Sequence, residues 1–543
     1  MSKNHIIPNM ALGLLGSLLY SAAHPSRLPI GPLGPLAVII GFFLIVMAVF
    51  NYEKKSWPII FTNHLFLYFL SLDWLASSLQ LLTPIPYFFC YIICFFWTFL
   101  LVPTLWFPLL LKYNRELPYL KEYPLLKNIL IPSTLFCFLE TFLSFNLEIF
   151  IGSSWILYPQ LAEKASIFGP KYFSFINFCF ALLLVEIATS RPLTKSSPEL
   201  KKYFFFFIFL FLPLTIPDPR KSEKTAETEI NARVVQPNSS NRRRMAGEKG
   251  RKNVIEEILN ELIYFSTKPT LRRELDLIVW PEVAYPYALE LNANRTGLNE
   301  KLPYTLARYI LRTNTPLLFG GYIKNKHVTS EYQDTYNSAL YLGPQGNLKQ
   351  HYSKHVFVPF GEQVPLIGHF KATQKYFSNT SYFAIGERTP VFEGPKEGNF
   401  ITVMCFEVIF TSFIRNYLEK TKENNPAYII NLTNDSWLLK SAGPKHHLFL
   451  ARWRAVEFDL PIIRANNSGV STIIYPDSSL GKSIPFNKSG VIDFNFKIKK
   501  NRIPTLYQEY GNFPFLFYAL LFILLSLIPL PENSFLRKKG HLV

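Results

Sequence analysis

Long apolar runs with few or no charges recur near residues 6–23, 29–50, 58–76, 84–111, 128–151, 172–189, 203–216 and 513–530. A helix of about 20 apolar residues crosses about 30 Å of hydrocarbon. The pattern therefore predicts eight membrane spans, the third weakened by Asp73 and the seventh by its length. After residue 219 the period changes. Following an opening strand at 234–238, strands are expected at 275–280, 316–322, 338–342, 400–405, 428–432, 462–465, 471–475 and 491–498. Helical periodicity returns at 253–265, 411–421 and 445–458, and residues 343–347 (GPQGN) read as a hairpin turn. The expected organisation is a membrane domain of seven spans over 1–219, an α/β domain with a largely buried sheet over 220–510, and an eighth span with its tail over 511–543.

Composition narrows the class. With 49% hydrophobic residues, 50 Phe and 17% charged residues, the chain is not disordered. Its mean hydropathy of +0.14 is then an average over apolar spans and one polar block. Lys and Arg near span ends stay in the cytoplasm. One set of loops holds Lys3, Lys54, Lys55, Lys112, Arg115, Lys121, Lys127, Arg191, Lys195, Lys201, Lys202, Arg537, Lys538 and Lys539, while the other holds little more than Arg27, Lys164 and Lys171. Both termini are thus expected inside and the α/β block outside. Ser21-Ala22-Ala23 after a short basic start also fits a cleaved signal peptide, but its loss would leave seven spans and invert the charge pattern. The net charge of +18 comes with no basic-aromatic module for nucleic acid, so anionic lipid headgroups are the expected partner. The run Asn241-Arg242-Arg243-Arg244 reads as a solvated loop and helix start, with phosphate contact as the alternative.

Of five cysteines, Cys90, Cys94, Cys137 and Cys179 fall in apolar spans, where small-residue packing accounts for them. Cys405 stands alone in the α/β block. It ends a β-rich run (FITVMC) and leads into a helical pattern, a turn at which converging backbone N–H groups are expected to stabilise a thiolate and an oxyanion. Glu282 follows a buried strand between Trp280-Pro281 and Val283, and apolar walls make a carboxylate a stronger base. Lys354 is a lone cation among aromatics, and Glu362 follows a Pro and a Gly that set a turn.

On these residues the outer block resembles the carbon–nitrogen hydrolase (nitrilase) superfamily, whose Glu-Lys-Cys triad runs in the chain order Glu282, Lys354, Cys405. With the spans, the whole chain resembles the apolipoprotein N-acyltransferase family. WPE at 280–282, YSKHVFVPFGEQVP at 352–365, CFE at 405–407, NDSW at 434–437 and GPKHH at 443–447 carry that resemblance. It implies an α-β-β-α sandwich beside a bundle of about eight spans, Glu362 and Glu407 as supporting acids, and Trp280, Asn434 and Trp437 as substrate contacts. It further implies transfer of an acyl chain from a membrane phospholipid, through a Cys405 thioester, to the α-amine of a diacylglyceryl apolipoprotein. The enzyme would be a monomeric, multi-pass protein of the bacterial inner membrane, its catalytic domain periplasmic, with no cofactor or metal. Phe406 stands where the family commonly has Tyr, and the SSNRRRM stretch replaces an aromatic-containing loop.

Competing readings remain open at this level. Water in place of the amine would make an anchored amidase or thioesterase; a papain-like scheme would pair Cys405 with His355 or His446; a transporter would mark its path with Asp73, Glu140 and Glu186. Glu140, Glu148, Trp155 and Tyr158 line a lipid portal or simply pack and anchor helices. Adjacent His446 and His447 point to different sides and lack a carboxylate at metal-ligand spacing. The aromatic segments 364–370 and 376–384 are expected as flaps at the bilayer surface.

Overall fold

The structure, a computed structural model, describes residues 6–28, 31–51, 56–101, 106–143, 150–189, 198–218, 220, 226–269, 274–292, 298, 302–324, 335–378, 380–438 and 442–528. Glu148 and the loop charges Lys3, Lys54, Lys55, Arg191, Lys195, Arg537, Lys538 and Lys539 lie outside these residues.

Helices occupy part of every expected span, but in altered form. By length and composition two described helices, Leu126–Leu143 and Lys171–Thr189, are long and apolar enough to cross a membrane. A third candidate is a bent pair, Trp57–Leu72 and Trp74–Leu82, which meet at 64°. The bend falls at Asp73, which is buried at the head of the second helix and ion-paired with Arg27. The expected span 84–111 is likewise two helices, Tyr87–Leu101 and Phe107–Glu116. Ile7–Ala22, Pro35–Phe50, Lys202–Thr215 and Phe513–Ser526 are apolar but shorter. The acids of this part are paired rather than lined up along a path. Glu140 accepts from Ile151 N at 2.7 Å and from Lys171 at 3.5 Å, and Glu186 pairs with Arg115. Trp155 is buried and donates to Asn177 at 2.8 Å, which is the packing role.

Among the described residues twelve strands build the α/β part: β1 Glu227–Gln236, β2 Leu277–Val279, β3 Tyr285–Glu290, β4 Leu317–Lys324, β5 Thr335–Leu342, β6 Leu348–Ser353, β7 Phe400–Met404, β8 Tyr428–Thr433, β9 Ile462–Asn466, β10 Ser471–Ile474, β11 Leu480–Ile484 and β12 Gly490–Lys499. One sheet has the order β12-β1-β2-β4-β5-β6, with β3 also on β4; the second runs β11-β10-β9-β8-β7. Alternation sets the layers. Leu277, Val279, Ala339 and Tyr341 join the core shared with Phe400, Ile401 and Val403 of the second sheet. Their neighbours Ile278, Trp280, Leu340 and Leu342 face the helices Lys252–Ser266 and Tyr304–Thr313 instead. The helices Thr411–Lys420 and Gly443–Phe458 pack with the second sheet, completing an α-β-β-α arrangement.

Helix Gly443–Phe458 is buried on nearly all sides because the apolar helices cover its outer face. Trp453 Nε1 donates to Ser153 O at 3.1 Å and Arg452 to Ile156 O at 3.1 Å. The strands with no sequence signal are β3, β6 and β11. Tyr285–Glu290 contains Pro286, while β6 and β11 are sheet edges whose half-polar sequences hide the period.

Candidate active site

Three strand ends converge. Strands β2 and β3 lie in succession along the same side of β4, through Ile278↔Leu317 and Tyr285↔Gly321, and Glu282 sits in the interruption between them. Gly320 of β4 is what lets the interruption fold back: a Cβ there would stand 2.5 Å from the Cα of Glu282. Lys354 follows β6 directly, and Cys405 follows β7. Cys405 has φ +46°, a left-handed backbone that costs a non-glycine residue about 1–3 kcal/mol and persists only where surroundings enforce it.

Lys354 Nζ lies 3.3 Å from Glu282 and 2.7 Å from Glu362. All three side chains are almost wholly enclosed. Burial opposes the ammonium charge, yet Glu282 and Glu362 outweigh it and hold Lys354 well above its usual value. A resting lysine cation is the result. Burial, with Glu282 behind it, pushes the Cys405 thiol up to about 12, while Lys354 pulls the other way. Burial thus works against the thiolate that the turn is expected to stabilise, and Lys354 works for it.

Glu407 is a tie rather than a reagent. It is fully buried, and its oxygens accept from His355 N at 2.6 Å, Val356 N at 3.0 Å, Met404 N at 2.7 Å and Tyr352 OH at 2.7 Å. It thereby locks the Lys354 loop to the Cys405 turn. Burial pushes its carboxyl up to about 7 against those donors. Glu362 is held by Val358 N at 2.9 Å in addition to Lys354.

The sequence reading did not single out Asn337, and it quoted the motifs holding Asp435 and His447 without assigning their contacts. Asn337 of β5 donates from one amide nitrogen to Glu282 at 2.9 Å and Glu362 at 3.1 Å. Under Cys405, His447 Nε2 donates to its carbonyl at 3.1 Å, and His447 Nδ1 lies 2.8 Å from Asp435. Arg464 reaches Asn431 at 2.5 Å and Asp435 at 3.1 Å. Burial opposes charge on Asp435, but His447 and Arg464 prevail and keep its carboxyl well below the usual range. Polar residues in otherwise apolar strands (YIINLT, IIRAN, TYNSALYL) were the available signal.

Other expected contacts fall elsewhere. Trp280 has no accessible surface, stacks on Tyr309 and donates to Ser266 at 2.8 Å, so it belongs to the core rather than to a ligand surface. Asn434 is spent on Asn467 at 3.0 Å and Ser436 N at 3.2 Å, holding a turn. His355 contacts Tyr352 OH at 3.2 Å and His446 faces Trp74 at 6.2 Å; among the described residues neither bonds to Cys405. No three His, Cys, Asp or Glu among the described residues are grouped to hold a metal ion.

Trp437 does line a cavity. It has a volume of about 360 Å³ and is walled by Trp74, Leu79 and Leu82 of one apolar helix, Ile93, Cys94 and Trp97 of the next, and Val358, Phe360, Pro365, Phe406 and Trp437 of the α/β part. Phe406 adjoins the thiol, and as Phe it keeps the wall apolar at that point. Beyond the cavity the 364–376 segment exposes Leu366, Ile367, Phe370 and Tyr376.

Residues 231–502 match the family model of carbon–nitrogen hydrolases. The chain is 28% identical over 301 residues to an apolipoprotein N-acyltransferase of Bdellovibrio bacteriovorus, covering 54% of this chain and 53% of that protein. It is 31% identical over 309 residues to one of Rickettsia typhi, covering 55% and 57%. The matches thus span about half the length of these curated relatives. Among solved structures it is similar to an amidase from Nesterenkonia sp., with 14% identity over 52% of this chain and 92% of that one and a TM-score of 0.33.

Proposed function

The chain belongs to the carbon–nitrogen hydrolase family, and from that premise we propose that it is a membrane acyltransferase of the apolipoprotein N-acyltransferase type. The observation that carries this reading is the apolar cavity, lined by two apolar helices and by Phe406, the residue that follows Cys405. A site for small polar amides needs no such wall. A fatty acyl chain does, since each methylene withdrawn from water contributes about 0.8 kcal/mol.

In the first half-reaction Glu282 takes the Cys405 proton as the sulfur attacks the ester carbonyl of a phospholipid. Because the resting thiol is neutral, removal of its proton and formation of the carbon–sulfur bond proceed together. Lys354 stabilises the tetrahedral oxyanion, a contribution of about 3–4 kcal/mol for a well-placed donor. Collapse breaks the carbon–oxygen bond, and the departing glycerol oxygen takes the proton back from Glu282, releasing lysophospholipid. In the second half the neutral α-amine of a diacylglyceryl apolipoprotein attacks the thioester, Glu282 accepts its proton, and the thiol is restored as the N-acylated product leaves. Asn337 and Glu362 hold Glu282 and Lys354 in register throughout. No residue outside the chain is required for these proton transfers.

The same reading retains eight spans, the division 1–219, 220–510 and 511–543, cytoplasmic termini, a periplasmic catalytic part and a monomer in the bacterial inner membrane. The apolar helices at each expected span and the exposed Leu366, Phe370 and Tyr376 near the cavity support it.

The test is to incubate the purified protein with phospholipid alone and measure the mass of the peptide bearing Cys405. An acyl adduct that is discharged by a diacylglyceryl lipopeptide to an N-acyl product is expected. Discharge to free fatty acid with the lipopeptide untouched would assign the hydrolase alternative, and an unmodified thiol would overturn both. Glu282→Gln should slow adduct formation at least about 100-fold.

A further inference from the structure

The helix Asn241–Glu248, between β1 and Lys252–Ser266, carries two arginines in unlike settings. Arg243 is satisfied, 2.5 Å from Glu261 and 3.9 Å from Glu257. Arg244 is not. Its Nε is buried without a hydrogen-bond partner among the described residues, and its ion pair with Glu248 is long, at 3.6 Å. That Glu248 oxygen already accepts from Tyr322 OH at 2.7 Å. A guanidinium presents five donors in a planar fork, and donors left unmade in a half-buried setting are a cost unless a ligand takes them.

Its position says which ligand. Tyr322 lies two residues beyond Gly320 on β4, hence on the same face, and Gly320 abuts the Glu282 backbone. Val283, next to Glu282, packs with Tyr322 and Phe383. The charge of Arg244 is accordingly felt together with those of Glu282 and Glu362. None of Arg244, Tyr322, Val283 and Phe383 lines the apolar cavity, which reaches the cluster at Phe406. The residue after the thiol therefore lines an apolar wall, and the acids Glu282 and Glu362 have an unsatisfied arginine within range of their charge.

We propose that Arg244 binds the phosphodiester of the phospholipid acyl donor, holding the headgroup beside Tyr322 while the reacting acyl chain lies past Phe406. This inference rests on the acyl-transfer reading. A glycerophospholipid carries its ester between chain and phosphate, and the site offers an apolar wall at Phe406 and a guanidinium near Glu282 for those two ends. The planar fork matches paired phosphate oxygens, and a lysine supplies the charge without the fork. The cationic form of the amine acceptor is repelled from the same place.

The test measures Cys405 acylation by mass spectrometry with two donors, a phosphatidylglycerol and a diacylglycerol with the same chains, using the full-length protein in detergent. In Arg244→Gln the ratio of the phospholipid rate to the diacylglycerol rate should fall about tenfold from that of wild type, through a raised KM for phospholipid. Arg244→Lys should recover part of the ratio, and raising salt should lower the wild-type ratio more than that of Arg244→Gln. An unchanged ratio, or equal losses with both donors in both variants, would overturn the phosphate site alone. Failure of wild type to form an adduct with either donor would overturn the acyl-transfer reading and this site with it.

Discussion

His447 Nε2 donates to the carbonyl oxygen of Cys405 at 3.1 Å, bracing from below a residue whose backbone is left-handed. Asn431 Nδ2 approaches the same oxygen at 3.5 Å, and Asp435 and Arg464 hold the imidazole. The nucleophile is thus aimed through its carbonyl by a buried polar network, which also reaches the sulfur through Thr433. His447→Leu should leave Asp435 and Arg464 without their shared partner and destabilise the protein by about 2–3 kcal/mol. His447→Gln, which keeps a donor, should recover most of that stability yet still lower kcat for adduct formation about tenfold, with KM unchanged. Wild-type kcat in both variants would remove the brace from the mechanism.

The Cys405 thiol, pushed up to about 12 by burial, should resist alkylation at neutral pH in the absence of lipid. Its reaction with iodoacetamide is expected to climb about tenfold per pH unit from pH 7 to 9, because the thiolate fraction rises by that factor below its pKa. A plateau below pH 8 would show a preformed thiolate and contradict the concerted first step.

Glu407 carries a pH signature of the same cause, burial. Its folded carboxyl lies at about 7 against an ordinary value of 4.5, so between those values the folded state holds a proton that the unfolded chain has released. Stability then falls as pH rises through that window. Glu407→Gln should be less stable than wild type at pH 5, since its one amide oxygen can accept from either Met404 N or His355 N and its NH2 faces the other donor. The gap should narrow toward pH 8 by up to about 3 kcal/mol. Denaturant unfolding in detergent at the two pH values would measure it, and a gap that widens with pH would contradict the assignment.

Leu79 lines the cavity on the helix Trp74–Leu82. Leu79→Trp should fill part of its 360 Å³ and shift donor preference toward shorter chains. The ratio of long-chain to short-chain adduct rates is expected to fall about tenfold, roughly two displaced methylenes at about 0.8 kcal/mol each. Equal rates with both donors would place the acyl chain elsewhere.

What the amino-acid order determined by itself was everything governed by near neighbours along the chain. The apolar runs, the buried strands 277–279, 400–404 and 428–433 and the GPQGN hairpin were legible because period and turn chemistry are local, while Glu282, Lys354 and Cys405 were joined into one site by the family resemblance. Tertiary structure decided the rest. It broke the third apolar run at Asp73, where Arg27, from the loop after the first apolar helix, compensates a buried carboxylate. It sent Trp280 into the core, set Asn337 between two acids and pushed the Cys405 thiol up by burial. Desolvation and charge pairing depend on groups far apart in sequence, Glu282 and Lys354 being 72 residues apart. No local window contains both members of such a pair.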